Sequence, residues 1–179
     1  MTAQETARLA ASGAVAGLCP VTEANLGDGV FPAREYLDAH GGFGIGTDSN
    51  VYISAPEELR MLEYAQRLTR RARNLWPDAQ GRSTGRALFD GALAGGAQAL
   101  GQAIAGIREG ASADLVSLDA NDPALAGRIG DSILDSRIFA GAAIDCVWRH
   151  GEKRVSGGRH HTRDEISARY RRTLERLLA

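Results

Sequence analysis

The chain has 179 residues, a formal net charge of −1 and an apolar fraction of 44%, which is the composition of an ordinary globular protein. A net charge near zero argues against a nucleic-acid partner and against an anionic membrane surface as partner. The first residues include Glu5 and no long apolar core, and no apolar run approaches transmembrane length. We therefore expect no signal peptide, no membrane association and a cytoplasmic protein.

A helix and a strand are predicted at the start of the sequence. Thr2 and Glu5 have capping-box spacing, alanines and a leucine follow, and Gly13 marks the end of a short helix. The apolar run over residues 14–19 then predicts a buried strand that ends at Pro20.

A loop, a helix and a second strand follow. Residues 21–30 are rich in turn residues and predict a loop, and residues 31–42 predict a helix that glycine closes. Residues 43–47 predict a second short strand. Alternating helices and strands are typical of parallel βα units, so we expect an α/β fold. Two parallel strands cannot form a closed core, so we expect that other strands complete the sheet or that the chain is a fragment.

The longest predicted helix covers residues 57–76, and Ser54 with Glu57 has the spacing of a capping box at its start. Apolar side chains recur at helical spacing along one face: Met61, Ala65, Leu68, Ala72 and Leu75. Four arginines in this segment are a candidate basic patch or, alternatively, the solvated face of the helix: Arg67, Arg70, Arg71 and Arg73.

The pattern changes after about residue 100. Residues 104–119 contain a glycine turn and an alternating apolar run, and residues 142–160 predict two strands joined by a turn near Gly151. A last helix begins at Thr162, with Glu165 in capping-box position. Its predicted apolar stripe consists of Ile166, Tyr170, Leu174 and Leu177.

Neither the cysteines nor the histidines have the spacing of a metal site. Cys19 and Cys146 lie in apolar runs, which predicts buried free thiols. The histidines fall at a helix end, beside a turn and before the last helix, where solvent-facing or structural roles are the simpler interpretation: His40, His150, His160 and His161.

Asp48 is the strongest candidate for a catalytic residue. It follows the strand predicted over residues 43–47, at the strand end where parallel α/β sheets and barrels place their reactive groups. A carboxylate in that position can bind a metal ion and can take a proton from water during hydrolysis. Asp-Ser-Asn is also ordinary turn chemistry, so a turn or helix-capping aspartate is the alternative.

The segment after the first strand supplies candidate substrate contacts. Thr22, Glu23 and Asn25 can hydrogen-bond a polar substrate, and Glu23 can also act as an acid or a base. Ser49, the neighbour of Asp48, is a further candidate. The alternative is a structured loop whose polar groups satisfy its own backbone.

Two motifs resemble the amidohydrolase superfamily. GLCPVTEANLGDG at residues 17–29 and FGIGTDSN at residues 43–50 are similar to a loop and a strand end of aminohydrolases that act on amidines and amino-heterocycles. The form EANLGDG, followed by EELRMLEYAQRL at residues 57–68, looks most like the formimidoylglutamate deiminases. GIREGASADLVSLD at residues 106–119 and the hairpin over residues 145–158 resemble the small β domain of the superfamily.

The resemblance implies the C-terminal portion of a TIM-like (β/α)8 metal-dependent hydrolase barrel, with part of a small β-sandwich domain and a C-terminal helix. Residues 1–102 correspond to strands seven and eight of the barrel with their helices, residues 103–160 to part of the composite β domain, and residues 161–179 to the helix. Asp48 becomes the aspartate that ends strand eight, which in the family binds zinc and moves protons between the attacking water and the leaving ammonia.

The implied reaction converts N-formimino-L-glutamate, a small-molecule substrate, to N-formyl-L-glutamate and ammonia, a zinc-dependent step of histidine degradation. The family's H-x-H pair and its two further histidine ligands have no counterpart in this sequence, and catalytic zinc has three or more protein ligands. We therefore expect a chain that is inactive alone, with the N-terminal half of the barrel or a second copy as partner. The alternatives are a non-catalytic interaction module and an amidohydrolase for another amidine or amino-heterocycle.

Overall fold

A computed structural model of the chain describes residues 1–49, 52–76, 81–102 and 106–179. The strands within these ranges are β1 (Val15–Leu18), β2 (Gly42–Ile45), β3 (Leu115–Leu118), β4 (Ile144–Arg149), β5 (Glu152–Ser156) and β6 (Arg159–His160). The α-helices are α1 (Ala3–Ala11), α2 (Pro20–Leu26), α3 (Ala33–Asp38), α4 (Ala55–Arg70), α5 (Thr84–Ala99), α6 (Ser132–Asp135) and α7 (Arg163–Leu178). A 3₁₀ turn lies at Pro123–Leu125, and a π-helical turn at Ser136–Ala140.

Strands β1 and β2 form a parallel two-stranded sheet. The pairing runs in register from Val15 opposite Gly42 to Leu18 opposite Ile45. The helices and strands alternate along this part of the chain, which confirms the predicted α/β class. Because the two strands are parallel, their C-terminal ends meet at the same edge of the sheet.

The apolar core lies between this sheet and the surrounding helices. Its fully buried members include Tyr36, Phe43 and Leu88. The Tyr36 hydroxyl donates hydrogen bonds to the carbonyl oxygens of Ala14 (2.9 Å) and Gly42 (3.1 Å), so the ring ties α3 to the starts of both strands. These contacts fix the sheet whose edge carries Asp48.

Residues 20–26 form a helix, so the loop predicted over residues 21–30 is wrong at its start. Pro20 occupies the first helical position, and Gly27, with φ of 74°, ends the helix in the left-handed conformation. Proline at the beginning and glycine just past the end favour a helix, and the turn-rich composition of the segment concealed that arrangement. The candidate residues Thr22, Glu23 and Asn25 are therefore helical.

Helix α4 is shorter than predicted and buries a different face. It ends at Arg70 because Arg71 takes a left-handed backbone, with φ of 53°, whereas the prediction ran to Trp76. Leu68, a member of the predicted stripe, is 81% exposed. The face that is buried instead mixes polar and apolar residues: Glu58, Leu59, Leu62, Glu63 and Gln66.

The second sheet is antiparallel, with strand order β3-β4-β5-β6. The predicted hairpin is confirmed, and Gly151 makes its turn with φ of 78°. Asp114 holds this turn from the side, because its carboxylate pairs with Arg149 and accepts a hydrogen bond from the backbone N–H of His150 (2.8 Å). The domain boundary predicted after residue 102 adjoins residues 103–105, which lie outside the described residues.

The last helix lies where the sequence predicts it, but its capping box does not form and part of its apolar stripe is not buried. It starts at Arg163, and the Thr162 side chain makes no capping hydrogen bond, so the capping box with Glu165 does not form. Ile166 and Tyr170 of its apolar stripe are exposed. Across the described ranges, no helix is long and apolar enough to span a membrane.

Candidate functional site at the carboxyl ends of the parallel strands

Asp48 lies three residues beyond the end of β2, at the C-terminal edge of the parallel sheet. Its side chain is exposed, and its backbone is left-handed, with φ of 45°. The Ser49 hydroxyl donates toward Oδ2 of Asp48 across a long 3.5 Å contact. Asn50, the next residue of the motif, lies outside the described residues. The carboxylate is thus presented to solvent at the edge where parallel sheets place their reactive groups.

Helix α2 brings Thr22 to the same edge. The Thr22 side chain is buried, and its hydroxyl donates a hydrogen bond to the carbonyl oxygen of Thr47 (2.9 Å). Just before this contact, the N–H of Gly46 donates to the carbonyl oxygen of Leu18 (3.0 Å), which extends the pairing between the strands by one residue. The structure therefore joins the two segments that the sequence singled out.

The other candidates on α2 differ in their surroundings. Oε1 of Glu23 accepts a hydrogen bond from the backbone N–H of Cys19 (2.9 Å), so one of its oxygens serves the start of the helix. Asn25 is exposed. The roles predicted for Thr22, Glu23, Asn25 and Ser49 as substrate contacts stay predictions.

Glu58 is a buried carboxylate at this edge that the sequence did not single out. Its side chain is fully buried, and its Oε2 accepts a hydrogen bond from the backbone N–H of Val21 (2.9 Å). That N–H belongs to the first turn of α2, where backbone donors have no partner within the helix. Cys19 at the N-cap position makes no side-chain capping bond, so Glu58 supplies the cap from α4. The one sequence signal for this role is an acidic residue on the apolar side of an amphipathic helix.

Burial and three nearby carboxylates both act on the Cys19 thiol at the strand ends. Burial is the main cause that raises the pKa of the Cys19 thiol above its usual value. The charges of three carboxylates raise it further: Asp48, Glu58 and Glu23. The thiol is therefore neutral near pH 7.

A zinc site is what the resemblance implies, and the described residues do not form one. Within the described ranges, no group of three or more histidine, cysteine, aspartate or glutamate side chains is arranged to hold a metal ion. His160 and His161 stack on each other, and the His150 ring contacts the Ser112 hydroxyl, both in the antiparallel sheet region. Asp48 can supply one ligand, whereas catalytic zinc has at least three from the protein.

Comparison with known proteins decides the family. The sequence profile of the amidohydrolase family matches residues 1–153. The chain belongs to the amidohydrolase family. Within it, the formimidoylglutamate deiminase of Pseudomonas aeruginosa is 50% identical over 97% of this chain and 39% of its own length.

Solved amidohydrolase structures agree with this assignment. An amidohydrolase from Brucella melitensis superposes with a TM-score of 0.94 and is 54% identical, over the whole of this chain and 40% of its own. A zinc-bound adenosine deaminase from Xanthomonas campestris superposes with a TM-score of 0.78 and 25% identity, over 98% of this chain and 40% of its own. This amidohydrolase chain thus spans about two fifths of the length of the relatives that it matches.

Proposed function

We propose that this chain is the C-terminal part of an amidohydrolase that converts N-formimino-L-glutamate and water to N-formyl-L-glutamate and ammonia, in cytoplasmic histidine degradation. The observation that carries the proposal is the 50% identity to the Pseudomonas aeruginosa formimidoylglutamate deiminase over nearly the whole chain. The complete enzyme uses zinc, and the chain alone is inactive because it offers a single candidate ligand.

The proposal assigns a place in the enzyme to each region. Residues 1–102 contain the parallel strands β1 and β2, and they form strands seven and eight of a TIM-like barrel. Residues 103–160 contain the antiparallel sheet and form part of a β-sandwich domain. Residues 161–179 form the closing helix. The support is the Brucella melitensis superposition, which covers the full chain.

Asp48 is the proposed proton carrier of the reaction. Water adds to the formimino carbon, and the bond from that carbon to the leaving nitrogen breaks. Asp48 accepts the proton that the attacking water loses and passes it to that nitrogen; it then carries the proton of the new hydroxyl to the same nitrogen, so that ammonia departs and the hydroxyl oxygen becomes the carbonyl oxygen of the formyl group. Its exposed carboxylate at the strand edge suits this role. Asp48 also contributes one metal ligand to a site that residues outside this chain complete.

The substrate contacts proposed for this chain are polar groups around Asp48. Ser49 and Asn25 are exposed, so their side chains can reach a bound molecule. Glu23 is half-buried and has one oxygen in a backbone hydrogen bond. Thr22 is buried, and its proton is donated to Thr47.

The proposal is tested by ammonia release from N-formimino-L-glutamate with added zinc. The chain is assayed alone and with the part of the Pseudomonas aeruginosa relative that it does not cover, supplied in trans. A chimera in which residues 1–179 replace the matching segment of that relative serves as the covalent version. Activity in the mixture and in the chimera, but not in the chain alone, is expected. Activity of the chain alone, or silence of the chimera, contradicts the proposal.

A second candidate is deamination of an amino-heterocycle. The similarity to the Xanthomonas campestris adenosine deaminase favours it, although the identity of 25% is half that to the formimidoylglutamate deiminase. The chimera is therefore also assayed with adenosine, guanine and cytosine. Faster turnover of any of these than of N-formimino-L-glutamate would replace the first proposal by the second. Silence toward all substrates, with a stable complex in trans, would favour a non-catalytic interaction module.

A further inference from the structure

We infer that Thr22 is a positioning residue for Asp48: its buried hydroxyl fixes the peptide plane from which the Asp48 carboxylate projects. The inference rests on the proposed function, because it concerns how Asp48 is held for catalysis. It also changes the role of Thr22, which the sequence predicts to contact the substrate.

The contact joins two elements that are distant in sequence. Thr22 lies in α2, after β1, and Thr47 lies after β2, so the hydrogen bond closes the gap between the two strand ends. The Thr22 side chain is only 6% exposed. A hydroxyl so buried, with its proton already donated at 2.9 Å, is placed to hold the protein rather than to receive a substrate.

The accepting oxygen belongs to the peptide unit that joins Thr47 to Asp48. A peptide unit is planar, so an oxygen fixed in direction also fixes the N–H of Asp48 and the bond about which its φ angle is defined. Asp48 has φ of 45°, in the left-handed region that residues other than glycine adopt uncommonly, although aspartate and asparagine adopt it more often than most. Among the described residues, the Thr22 hydroxyl is a hydrogen-bond donor from another element that reaches this plane.

Hydrogen bonds also hold the helix turn that carries Thr22. The backbone N–H of Val21 donates to Glu58 of α4, and the N–H of Cys19 donates to the side chain of Glu23, so the first turn of α2 is bonded both to α4 and within itself. If Thr22 lay on a mobile loop, its hydroxyl would move together with Thr47. Because Thr22 lies in a hydrogen-bonded helix turn, its hydroxyl restrains the movement of Thr47.

The test uses the chimera with Thr22→Val, which keeps the shape of the side chain and removes the donor, and Thr22→Ser, which restores the donor. Thr173→Val is the matched control, because the Thr173 hydroxyl also donates to a backbone carbonyl (3.1 Å to Arg169) but lies on the exposed face of α7. The readouts are kcat, KM and hydrogen–deuterium exchange of the segment 46–49.

Thr22→Val is expected to lower kcat by about 10- to 100-fold, as small misplacements of a catalytic group do, with KM changed less than about twofold. Exchange in the segment 46–49 rises in the same variant. Thr22→Ser returns both readouts toward the parent values, and Thr173→Val changes neither.

Two results would overturn the inference. A rise in KM with kcat unchanged would make Thr22 a substrate contact, and parent-like exchange in the segment 46–49 of Thr22→Val would show that the hydroxyl holds nothing. The exchange readout decides even if the chimera releases no ammonia. The Asp48→Asn variant in the same assay distinguishes failure of the proposed function from failure of the positioning role. If Asp48→Asn is fully active, the proposed function fails. If Asp48→Asn is inactive and Thr22→Val behaves like the parent, only the positioning role of Thr22 is removed.

Discussion

Asp48 has an unusual backbone as well as an exposed carboxylate. Its φ of 45° lies in the left-handed region, which costs most residues about 1–2 kcal/mol and which aspartate and asparagine tolerate best. Alanine in this position would remove the carboxylate and also disturb the turn. Asparagine removes only the charge and keeps the shape. Asp48→Asn is therefore the substitution that isolates the chemistry of this residue.

Asp114 gives a pH prediction at the scale of one residue. The side-chain hydrogen bond from Arg149 and the backbone hydrogen bond from His150 lower the pKa of Asp114 from 3.8 to about 2. A carboxyl whose pKa is lower in the folded state stabilises the fold above pH 3.8, and this contribution is lost as the pH falls toward about 2. An NMR titration of the Asp114 carboxyl is expected to show a midpoint near the lower value.

Arg149→Met is expected to move that midpoint back toward 3.8. Arg154→Met is the matched control, because Arg154 pairs with Glu152 instead. A parent protein that already titrates near 3.8, or a midpoint that Arg149→Met leaves in place, would show that the ion pair does not persist in solution.

At the scale of elements, α2 depends on Glu58 for its N-terminal cap. Glu58→Ala leaves the partly buried Val21 N–H without its acceptor, which costs about 1–3 kcal/mol. Glu58→Gln keeps an acceptor and is expected to cost less. Glu57 precedes Glu58 in α4 and forms a partly exposed ion pair with Arg60. Glu57→Ala should therefore lower the free energy of unfolding by less than about 1 kcal/mol. Thermal melting of the chimera compares the three. Equal losses for Glu58→Ala and Glu57→Ala would remove the capping role.

Helix α5 packs on β2 through Gly95. A Cβ on Gly95 would lie 1.9 Å from the carbonyl oxygen of Phe43, a distance at which backbone must move. Gly95→Ala is therefore expected to destabilise the chimera by about 1–3 kcal/mol or more. At the neighbouring Gly96 a Cβ meets nothing within 4 Å, so Gly96→Ala should stabilise by up to about 1 kcal/mol through helix propensity. If Gly95→Ala and Gly96→Ala shifted the melting temperature in the same direction, the close packing of α5 on β2 at Gly95 would be contradicted.

The same elements show where sequence reasoning succeeds. Strands β1 and β2 follow from short apolar runs, and α1 follows from its capping box, because these signals are local. The sequence gives no clear signal for helix α5, because its four glycines lower helix propensity, although two of them let the helix approach Phe43. Helical spacing also does not indicate the buried face of α4, because it includes Glu63, a charged residue whose carboxylate accepts hydrogen bonds from Arg67 and from the backbone N–H of Leu75.

In the candidate site too, local sequence predicts some features, whereas others depend on contacts between distant residues. The place of Asp48 after an apolar run, a feature of the local sequence, predicts it as a candidate catalytic residue. The bonds from Thr22 to Thr47 and from Val21 to Glu58 join residues 25 and 37 positions apart, so no local spacing announces them. The resemblance to amidohydrolases supplied the family, and the structure supplied these supports.

At the scale of the whole molecule, the parallel sheet is open. In the described part of the chain β1 pairs only with β2, so each strand has an outer edge without a strand partner. Open strand edges favour association with another chain. The 179-residue chain alone is therefore expected to self-associate or melt without cooperativity, as judged by analytical ultracentrifugation and thermal unfolding. A monomer with a sharp, cooperative transition would show that the two-stranded sheet needs no completion.

The role of Asp48 is tested by ammonia release from N-formimino-L-glutamate, compared between the parent chimera and its Asp48→Asn variant at equal amounts of folded protein. We expect the parent to be active, the variant to lose at least about 100-fold in kcat because it lacks the positioned proton carrier, and the melting temperature to be unchanged. Deamination at the parent rate by Asp48→Asn would contradict the assignment of Asp48 and, with it, the central role given to the carboxyl ends of β1 and β2.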